Sequence, residues 1–460
     1  MLKKSFAVCL GVVFLLCVSS TVFASGFAIV EQSVSGLGVS FAGALSGDDP
    51  STIFFNPASI TLLGGQQATG GLHFIMPSTK FHAKTVTNAF GGTLGTDNGG
   101  DGGVNALVPN LYYSNKVNDK LSIGIGINAP FGLSTDYDRT WVGRYYAKES
   151  DVATVNLNPV VAYKVTDKLT LAAGVSAEYI DVTLSSMVDG GLVAFEGAAM
   201  NPSTPPATLG FLASQVSNTD LDVLVKNKAH DWDYGYNLGL MYEFSPKIRA
   251  GLAYRSEITH KLRGDVTSQV PAALTSLNPL LAGAFTTQDV NGSITLPATV
   301  SASLYSKVTD KLALMADVTW TGWSSFDKLT INFEGAGIAG QKSVTTTENW
   351  DDTWRYSLGA SYQATDALKL RCGMAYDETP ISDDYRTPRI PGEDRFWITV
   401  GSGYQFTEHF NMDFAYAHLF VSDSHMEKYA TNPEDTASGT VVGKFENYVD
   451  IASIQFTYKF

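Results

Sequence analysis

Covalent catalysis needs a Ser, Cys or Thr beside a His that a third group holds in place. The chain has seven histidines, His73, His82, His230, His260, His409, His418 and His425, in unrelated contexts. No Gly-x-Ser-x-Gly elbow occurs. Asp231 and Asp233 beside His230 come nearest to a metal site and read as a solvated loop end. Of three cysteines, Cys9 and Cys17 sit in the N-terminal apolar stretch and Cys372 stands alone, so no disulfide framework exists. These residues predict no enzyme, no cofactor and no metal.

The elements that carry the residues say more. Lys3 and Lys4, an apolar run over residues 6–18 and Val22-Phe23-Ala24 read as a signal peptide over residues 1–24. Its removal takes two lysines and no acids, turning a net charge of −14 into −16. So acidic a surface predicts no nucleic-acid partner. No later stretch reaches 18 apolar residues, which excludes a bundle of membrane helices. Gly (43), Phe (25) and Tyr (21) are abundant and charged residues are 17%, a mix that suits strands with aromatic rims and tight turns.

Strands appear as period-two alternation. Ala452, Ile454, Phe456, Tyr458 and Phe460 share one face, while Ser453, Gln455, Thr457 and Lys459 share the other. Three near-identical turns recur: Val117-Asn118-Asp119-Lys120, Val165-Thr166-Asp167-Lys168 and Val308-Thr309-Asp310-Lys311. Residues 244–247, 364–367 and 406–409 occupy equivalent places. Six turns join twelve strands; one near Gln67 and one ending at Phe460 make fourteen. Long segments such as 185–230 and 263–290 lie between hairpins. Short turns on one edge and long loops on the other predict an all-β membrane protein, a 14-stranded antiparallel transmembrane β-barrel over residues 66–460. Glu178 and Asp317 on inner faces fit a wet lumen. Residues 25–65 do not alternate and are rich in Gly and Ala. Fourteen strands enclose more space than their own side chains fill, so this segment is expected to be an N-terminal hatch in the lumen. A periplasmic arm is the alternative, but Ile53-Phe54-Phe55 is too apolar for a free one.

At Ser51-Thr52-Ile53-Phe54-Phe55-Asn56-Pro57-Ala58 the chain resembles the FadL family of outer-membrane transporters for hydrophobic compounds. Ala253-Tyr254-Arg255-Ser256-Glu257, Asp317-Val318-Thr319-Trp320-Thr321-Gly322-Trp323-Ser324 and Asp352-Thr353-Trp354-Arg355-Tyr356-Ser357-Leu358-Gly359 are similar to further family segments, as is the stretch through Asp394-Arg395-Phe396-Trp397. The resemblance implies capture of an apolar solute in extracellular loops, a site above the hatch, and sideways exit at a kink in the third strand, with the hatch residues Asn56, Pro57 and Ala58 against it. The third strand itself supports a kink. It reads through Asn128, Pro130 and Gly132; Pro130 cannot donate to a ladder, and Gly132 tolerates irregular backbone. The alternative is that the strand simply ends at Asn128. Fatty-acid members hold the carboxylate with an Arg and a Lys. The Arg position falls at Ser186, the Lys position is matched by Lys342, and Arg255 or Arg355 are the substitutes. The alternative is a channel mainly for neutral aromatic hydrocarbons.

A buried methylene is worth about 0.8 kcal/mol, so a twelve-carbon chain gains roughly 9 kcal/mol on leaving water. A side exit lets such a solute reach the membrane core without crossing water. With no ATP motif, uptake is expected to be passive. Two apolar loops form the expected capture surface, with Phe211 and Leu212 in one and Leu274, Leu277, Leu281 and Phe285 in the other. Both can be read as short amphipathic helices, and they can equally pack on each other to seal the top. The rivals are a general porin, an outer-membrane lipase and a surface adhesin or receptor. The expected location is the bacterial outer membrane, with its lipid and lipopolysaccharide around a monomer. The end at Phe456, Tyr458 and Phe460 resembles the signal read by the outer-membrane assembly machinery.

Overall fold

The computed structural model of the chain describes residues 26–460. The expected signal peptide, residues 1–24, lies outside the described residues. Fourteen strands follow. They are β1 (Gln66–Thr87), β2 (Ala106–Lys116), β3 (Leu121–Asn128, then Gly132–Asp136), β4 (Glu149–Lys164), β5 (Leu169–Val188), β6 (Val223–Ser245) and β7 (Ile248–Arg255, Ile258–His260, Arg263–Gln269). Next come β8 (Gln288–Gly292, Ile294–Leu296, Thr299–Lys307), β9 (Leu312–Thr321, Lys328–Phe333), β10 (Ser343–Thr347, Thr353–Gln363), β11 (Leu368–Asp377), β12 (Arg395–Gln405), β13 (Phe410–Val421, Ser424–Lys428) and β14 (Thr440–Lys459). Each strand pairs antiparallel with its sequence neighbours, and β14 returns to β1 to close the ring. This is the fourteen-stranded barrel that the turns predicted.

One device shapes all six short turns. The side chain at the second turn position accepts from backbone amides two or three residues on. Asn118 Oδ1 takes the Lys120 and Leu121 N–H groups at 2.9 Å each. Thr166, Thr309 and Thr407 Oγ1 do the same at 3.0–3.2 Å. Thr365 Oγ1 accepts from Leu368 N at 3.0 Å and Ser245 Oγ from Lys247 N at 3.3 Å. A local side-chain acceptor thus pre-sets the reversal. The seven remaining connections, on the opposite edge, are longer.

The faces follow the alternation. On β14, Ser453, Gln455 and Thr457 point inward and are buried, while Ala452, Phe456, Tyr458 and Phe460 are exposed. Leu107, Leu111, Val155, Val175, Leu252 and Leu358 extend the outward apolar band around the ring. Such a band is matched to lipid, not to water. Among the described residues, no helix is long and apolar enough to cross a membrane.

Residues 26–63 carry α1 (Val34–Leu37), α2 (Thr52–Phe55) and a 3-10 turn (Pro57–Leu62). Ser33 Oγ caps α1 by accepting from Gly36 N at 2.9 Å. The segment is tied to strands on different sides of the ring. Asn56 Nδ2 donates to the carbonyls of Leu240 on β6 (3.1 Å) and Leu252 on β7 (3.3 Å). Val34 N donates to Gln455 Oε1 on β14 at 3.1 Å, and Ser40 Oγ meets Thr399 Oγ1 on β12 at 2.9 Å. Arg371 on β11 bridges Asp48 (2.9 Å) and Asp413 of β13 (2.7 Å).

Candidate functional site: a gap in the wall beside an apolar chamber

The ladder is interrupted between β2 and β3. β2 pairs with β1 as far as Ala106, but with β3 only from Lys116 to Leu111, opposite Ile127. Beyond that point β3 turns away, and Ala129-Pro130-Phe131 separates its two halves. Asn128 is opposite Asn156 and Gly132 opposite Ala153, so β3 carries one extra residue here, a bulge against β4. Thr154 repairs that side: its Oγ1 accepts from Phe131 N at 2.9 Å and donates to Phe131 O at 2.7 Å. The expected kink residues Asn128, Pro130 and Gly132 therefore frame the interruption.

The edge that β3 leaves open is taken by the N-terminal segment. Ala28 forms an antiparallel bridge with Phe131. Ile29 N donates to Pro130 O at 2.8 Å, and Gly132 N donates to Phe27 O at 3.0 Å. Gln32 completes the repair: its Nε2 donates to Ala129 O at 2.7 Å, and its Oε1 accepts from Ala129 N at 3.2 Å. Backbone groups at this depth must be paired, and here residues 27–32 do what β2 does not.

A cavity of about 600 Å³ occupies the gap. Its lining includes the outward Leu107, Pro109, Ile127 and Val155 and also Phe27, Ala28 and Ile29 inside, so it passes through the wall. Ile390, Pro391 and Gly392 of the 378–394 connection roof it. A second cavity, about 130 Å³, lies further in. Phe41, Phe54, Phe55, Pro57 and Trp397 give it apolar walls, while Asn237, Asp317, Asp377 and three arginines, Arg255, Arg355 and Arg395, supply polar groups. Ala28, Ile29, Phe131 and Arg395 line both cavities, so the Ala28–Phe131 bridge is the partition between them.

The partition is held by aromatic packing. Phe27 meets Trp323 at 5.0 Å between ring centroids, Phe131 at 5.9 Å and Trp350 at 5.9 Å. Gly26 adopts φ +36°, and a Cβ there would come within 2.6 Å of Trp323. Only glycine fits.

The predicted residues separate in this frame. Asn56 makes polar contacts at β6 and β7, Ala58 N donates to Asn56 Oδ1 at 3.0 Å, and the kink is bonded by residues 27–32 instead; Pro57 and Pro130 meet as walls of the inner chamber. Arg255 donates to Phe54 O at 3.1 Å and lies over the Phe54 ring at 4.7 Å. Arg355 donates to Ser357 Oγ at 2.6 Å and Ser40 O at 3.1 Å, and its Nε makes no hydrogen bond among the described residues. Lys342 is exposed in the connection between β9 and β10 and donates to Gly335 O, away from the chamber.

The loop residues divide as well. The β5–β6 connection forms α3 (Gly190–Ala199) and α4 (Pro206–Ala213), and the β7–β8 connection forms α5 (Ala272–Leu277). Leu212, Leu274, Leu281 and Phe285 are buried in one cluster shared by both connections, so they are packing residues and not an exposed surface. Leu277 packs against its edge. Of the six, only Phe211 is exposed, at 54%, and Leu280 and Met200 join it. Asp231, read as a solvated neighbour of His230, faces the buried His260 at 3.4 Å, and Glu178 faces the other ring nitrogen at 3.5 Å. No group of three His, Cys, Asp or Glu side chains among the described residues is arranged to hold a metal.

Sequence reasoning missed Phe27, Gln32, Trp323 and Trp350 as site residues. Trp323 carried a signal: it follows Gly322 where the β9 alternation stops. Phe27 and Gln32 carried none, because their partners lie a hundred or more residues away.

Comparison with known proteins gives a consistent set. The family model for outer membrane protein transport proteins (OMPP1/FadL/TodX) matches residues 15–460. Outer membrane protein P1 of Haemophilus influenzae is 30% identical over 458 residues, covering 95% of each chain. The long-chain fatty acid transport protein of Salmonella typhi is 29% identical over 424 residues, covering 91% of each. The crystal structure of a Pseudomonas aeruginosa FadL homologue superposes with a TM-score of 0.84 at 25% identity, covering 95% of this chain and all of that one.

Proposed function

The chain belongs to the OMPP1/FadL/TodX family of outer membrane transport proteins, and from that premise we propose a route for its hydrophobic solute. The solute is caught at the exposed Phe211, Leu280 and Met200, settles in the inner chamber, and leaves sideways through the gap between β2 and β3 into the membrane. Residues 25–65 act as the hatch that denies it an axial path, and residues 66–460 are the barrel. Transport is passive. One observation carries the reading: the wall cavity and the chamber share Ala28, Ile29, Phe131 and Arg395, with the Ala28–Phe131 bridge between them.

The physical logic is continuity of environment. A long alkyl chain gains on the order of 9 kcal/mol on leaving water, so each step should be apolar to apolar. The chamber, the gap and the outward band supply that sequence. The outward band packs against outer-membrane lipid and lipopolysaccharide, the protein works as a monomer, and its C-terminal aromatics address it to the assembly machinery.

The test is a reversible lock. Facing residues of an antiparallel pair have Cα atoms about 4.5–5.5 Å apart, within reach of a disulfide. In a Cys372→Ser background, Ala28→Cys with Phe131→Cys is expected to lose uptake of labelled toluene and of a labelled long-chain fatty acid when oxidised and regain it on reduction. Uptake indifferent to the lock would rule out the side route.

The preference within the solute class turns on the arginines. Arg255 and Arg355 are already hydrogen-bonded to the protein, and Asp317 and Asp377 share their chamber. That balance favours a neutral solute, a monoaromatic hydrocarbon before a carboxylate. Competition between labelled toluene and labelled fatty acid in the same cells decides it.

A further inference from the structure

The outward surface beside the gap is not uniform. Along β1 the outward positions are Ala68, Gly70, Leu72 and Phe74. At the two smallest of these the lipid-facing wall is hollowed into a groove of about 350 Å³. One bank is Leu111 and Tyr113 of β2 with Ile125 and Ile127 of β3. The other is Phe456 and Tyr458 of β14 with Phe410 of β13, where the Phe410 and Phe456 rings stack nearly parallel, 12° apart. The register explains the hollow: Gly70 is flanked by Leu111 and Phe456, and Ala68 by Tyr113 and Tyr458, so large side chains stand on both sides of almost none.

Position gives the groove its meaning. Ile127 lines both the groove and the wall cavity. It is the last residue of β3 opposite β2 before the strands part. At its other end the groove reaches Phe410, next to the short turn at 406–409. Short turns mark the periplasmic edge of such barrels. The groove therefore leads from the mouth of the gap, at mid-wall, toward the inner leaflet.

We propose that this groove is the landing track of the departing solute: a molecule leaving the gap passes over Ile127 onto the Ala68–Gly70 hollow and is delivered to the inner leaflet of the membrane. This rests on the side-exit route proposed above. Continuity with the gap selects the solute as occupant, since a groove made for structural lipid has no need to begin at a door. The hollow gives a flexible chain a bed of side-chain contacts on both flanks at the moment it loses those of the chamber.

The test fills the groove and leaves the gap alone. A Cβ at Gly70 would approach only the far end of the Leu111 side chain, at 3.0 Å, which can swing aside, so Gly70→Leu can be accommodated. Ala68→Leu fills the same hollow one step lower, and Ala173→Leu adds equal bulk to an exposed outward site on β5. Uptake of labelled toluene and of a labelled long-chain fatty acid is measured in cells, with folded barrel at equal levels verified by gel mobility. Expected is a several-fold slower uptake for Gly70→Leu and Ala68→Leu and no change for Ala173→Leu. Wild-type uptake in both groove variants, while the oxidised Ala28→Cys/Phe131→Cys pair stops transport, overturns the landing track, keeps the side exit, and leaves the groove to ordinary membrane lipid. Equal slowing in all three variants also overturns it. Indifference to the lock as well removes the side exit and the track together.

Discussion

β1 has one neighbour that closes the ring and another that borders its opening. At the seam, β1 and β14 join strands nearly four hundred residues apart, yet they pair from Gln67 opposite Lys459 to Thr87 opposite Thr440, with one shift between Ala83 and Thr85. β2 and β3 are consecutive, joined by a tight turn, and they part after Ile127. Covalent adjacency does not decide where a barrel is strong. At the seam Thr69 Oγ1 meets Thr457 Oγ1 at 2.8 Å and His73 Nδ1 meets Ser453 Oγ at 2.8 Å, so side chains reinforce the ladder. At the gap Pro130 has no amide to donate, and the backbone is satisfied by residues 27–32, which are not covalently part of either strand.

A proline moved to the seam should break the comparison most severely. Thr69→Pro removes an amide from a strand paired on both sides and leaves its carbonyl partner unsatisfied, at a cost of up to about 3 kcal/mol, with loss of folded barrel on a heat-modifiability gel. Next is Gly26→Ala, which strains a left-handed residue wedged against Trp323 and should cost roughly 1–3 kcal/mol locally. Its expected signature is faster hydrogen exchange at residues 27–32 and the β3 kink, with the seam unaltered.

A pH effect should follow at the roof of the gap. Glu393 lies in the 378–394 connection, next to Gly392 of the cavity lining. Burial holds its carboxyl up at about 7, even though the Arg386 guanidinium beside it pulls the other way. An acid raised from 4.5 in this way contributes stability that is complete below about 4.5 and lost as pH rises through about 7. Proteolysis of the 378–394 connection should therefore be faster at pH 8 than at pH 5, and Glu393→Gln should reduce that difference, leaving the share of the neighbouring Asp394, whose carboxyl burial raises to about 8. Pro130→Ala should be the mildest in stability, below about 1 kcal/mol, because proline has no N–H to lose and the carbonyl that accepts from Ile29 N is kept. It sharpens the comparison through function: a regularised β3 that extends toward β2 should narrow the gap and slow uptake.

Much of this was legible in the chain. The six turn sequences gave the strand number because each contains its own acceptor, Asn118, Thr166, Ser245, Thr309, Thr365 or Thr407, two or three residues from the amides it caps. Period-two alternation assigned the faces, and Ser453, Gln455 and Thr457 do point inward. Pro130 announced a defect in β3. The candidate residues fared unevenly for a common reason. Leu212, Leu274, Leu281 and Phe285 looked like a capture surface because apolarity in a loop does not say what packs on it, and here two connections bury each other. Lys342 matched the Lys position of the fatty-acid members, but it is exposed and donates to Gly335 O, away from the chamber.

What the sequence determined alone was whatever a few neighbouring residues settle among themselves: reversals, alternation, strand count, and the missing amide at Pro130. What only the tertiary structure decided was what stands opposite that missing amide. The closed ring fixes how far β2 and β3 separate, and it brings Phe27, Ala28, Ile29 and Gln32 from far along the chain to the open edge. Local hydrogen-bond chemistry is written in adjacent residues, whereas the occupant of an unpaired edge is set by closure of the whole barrel.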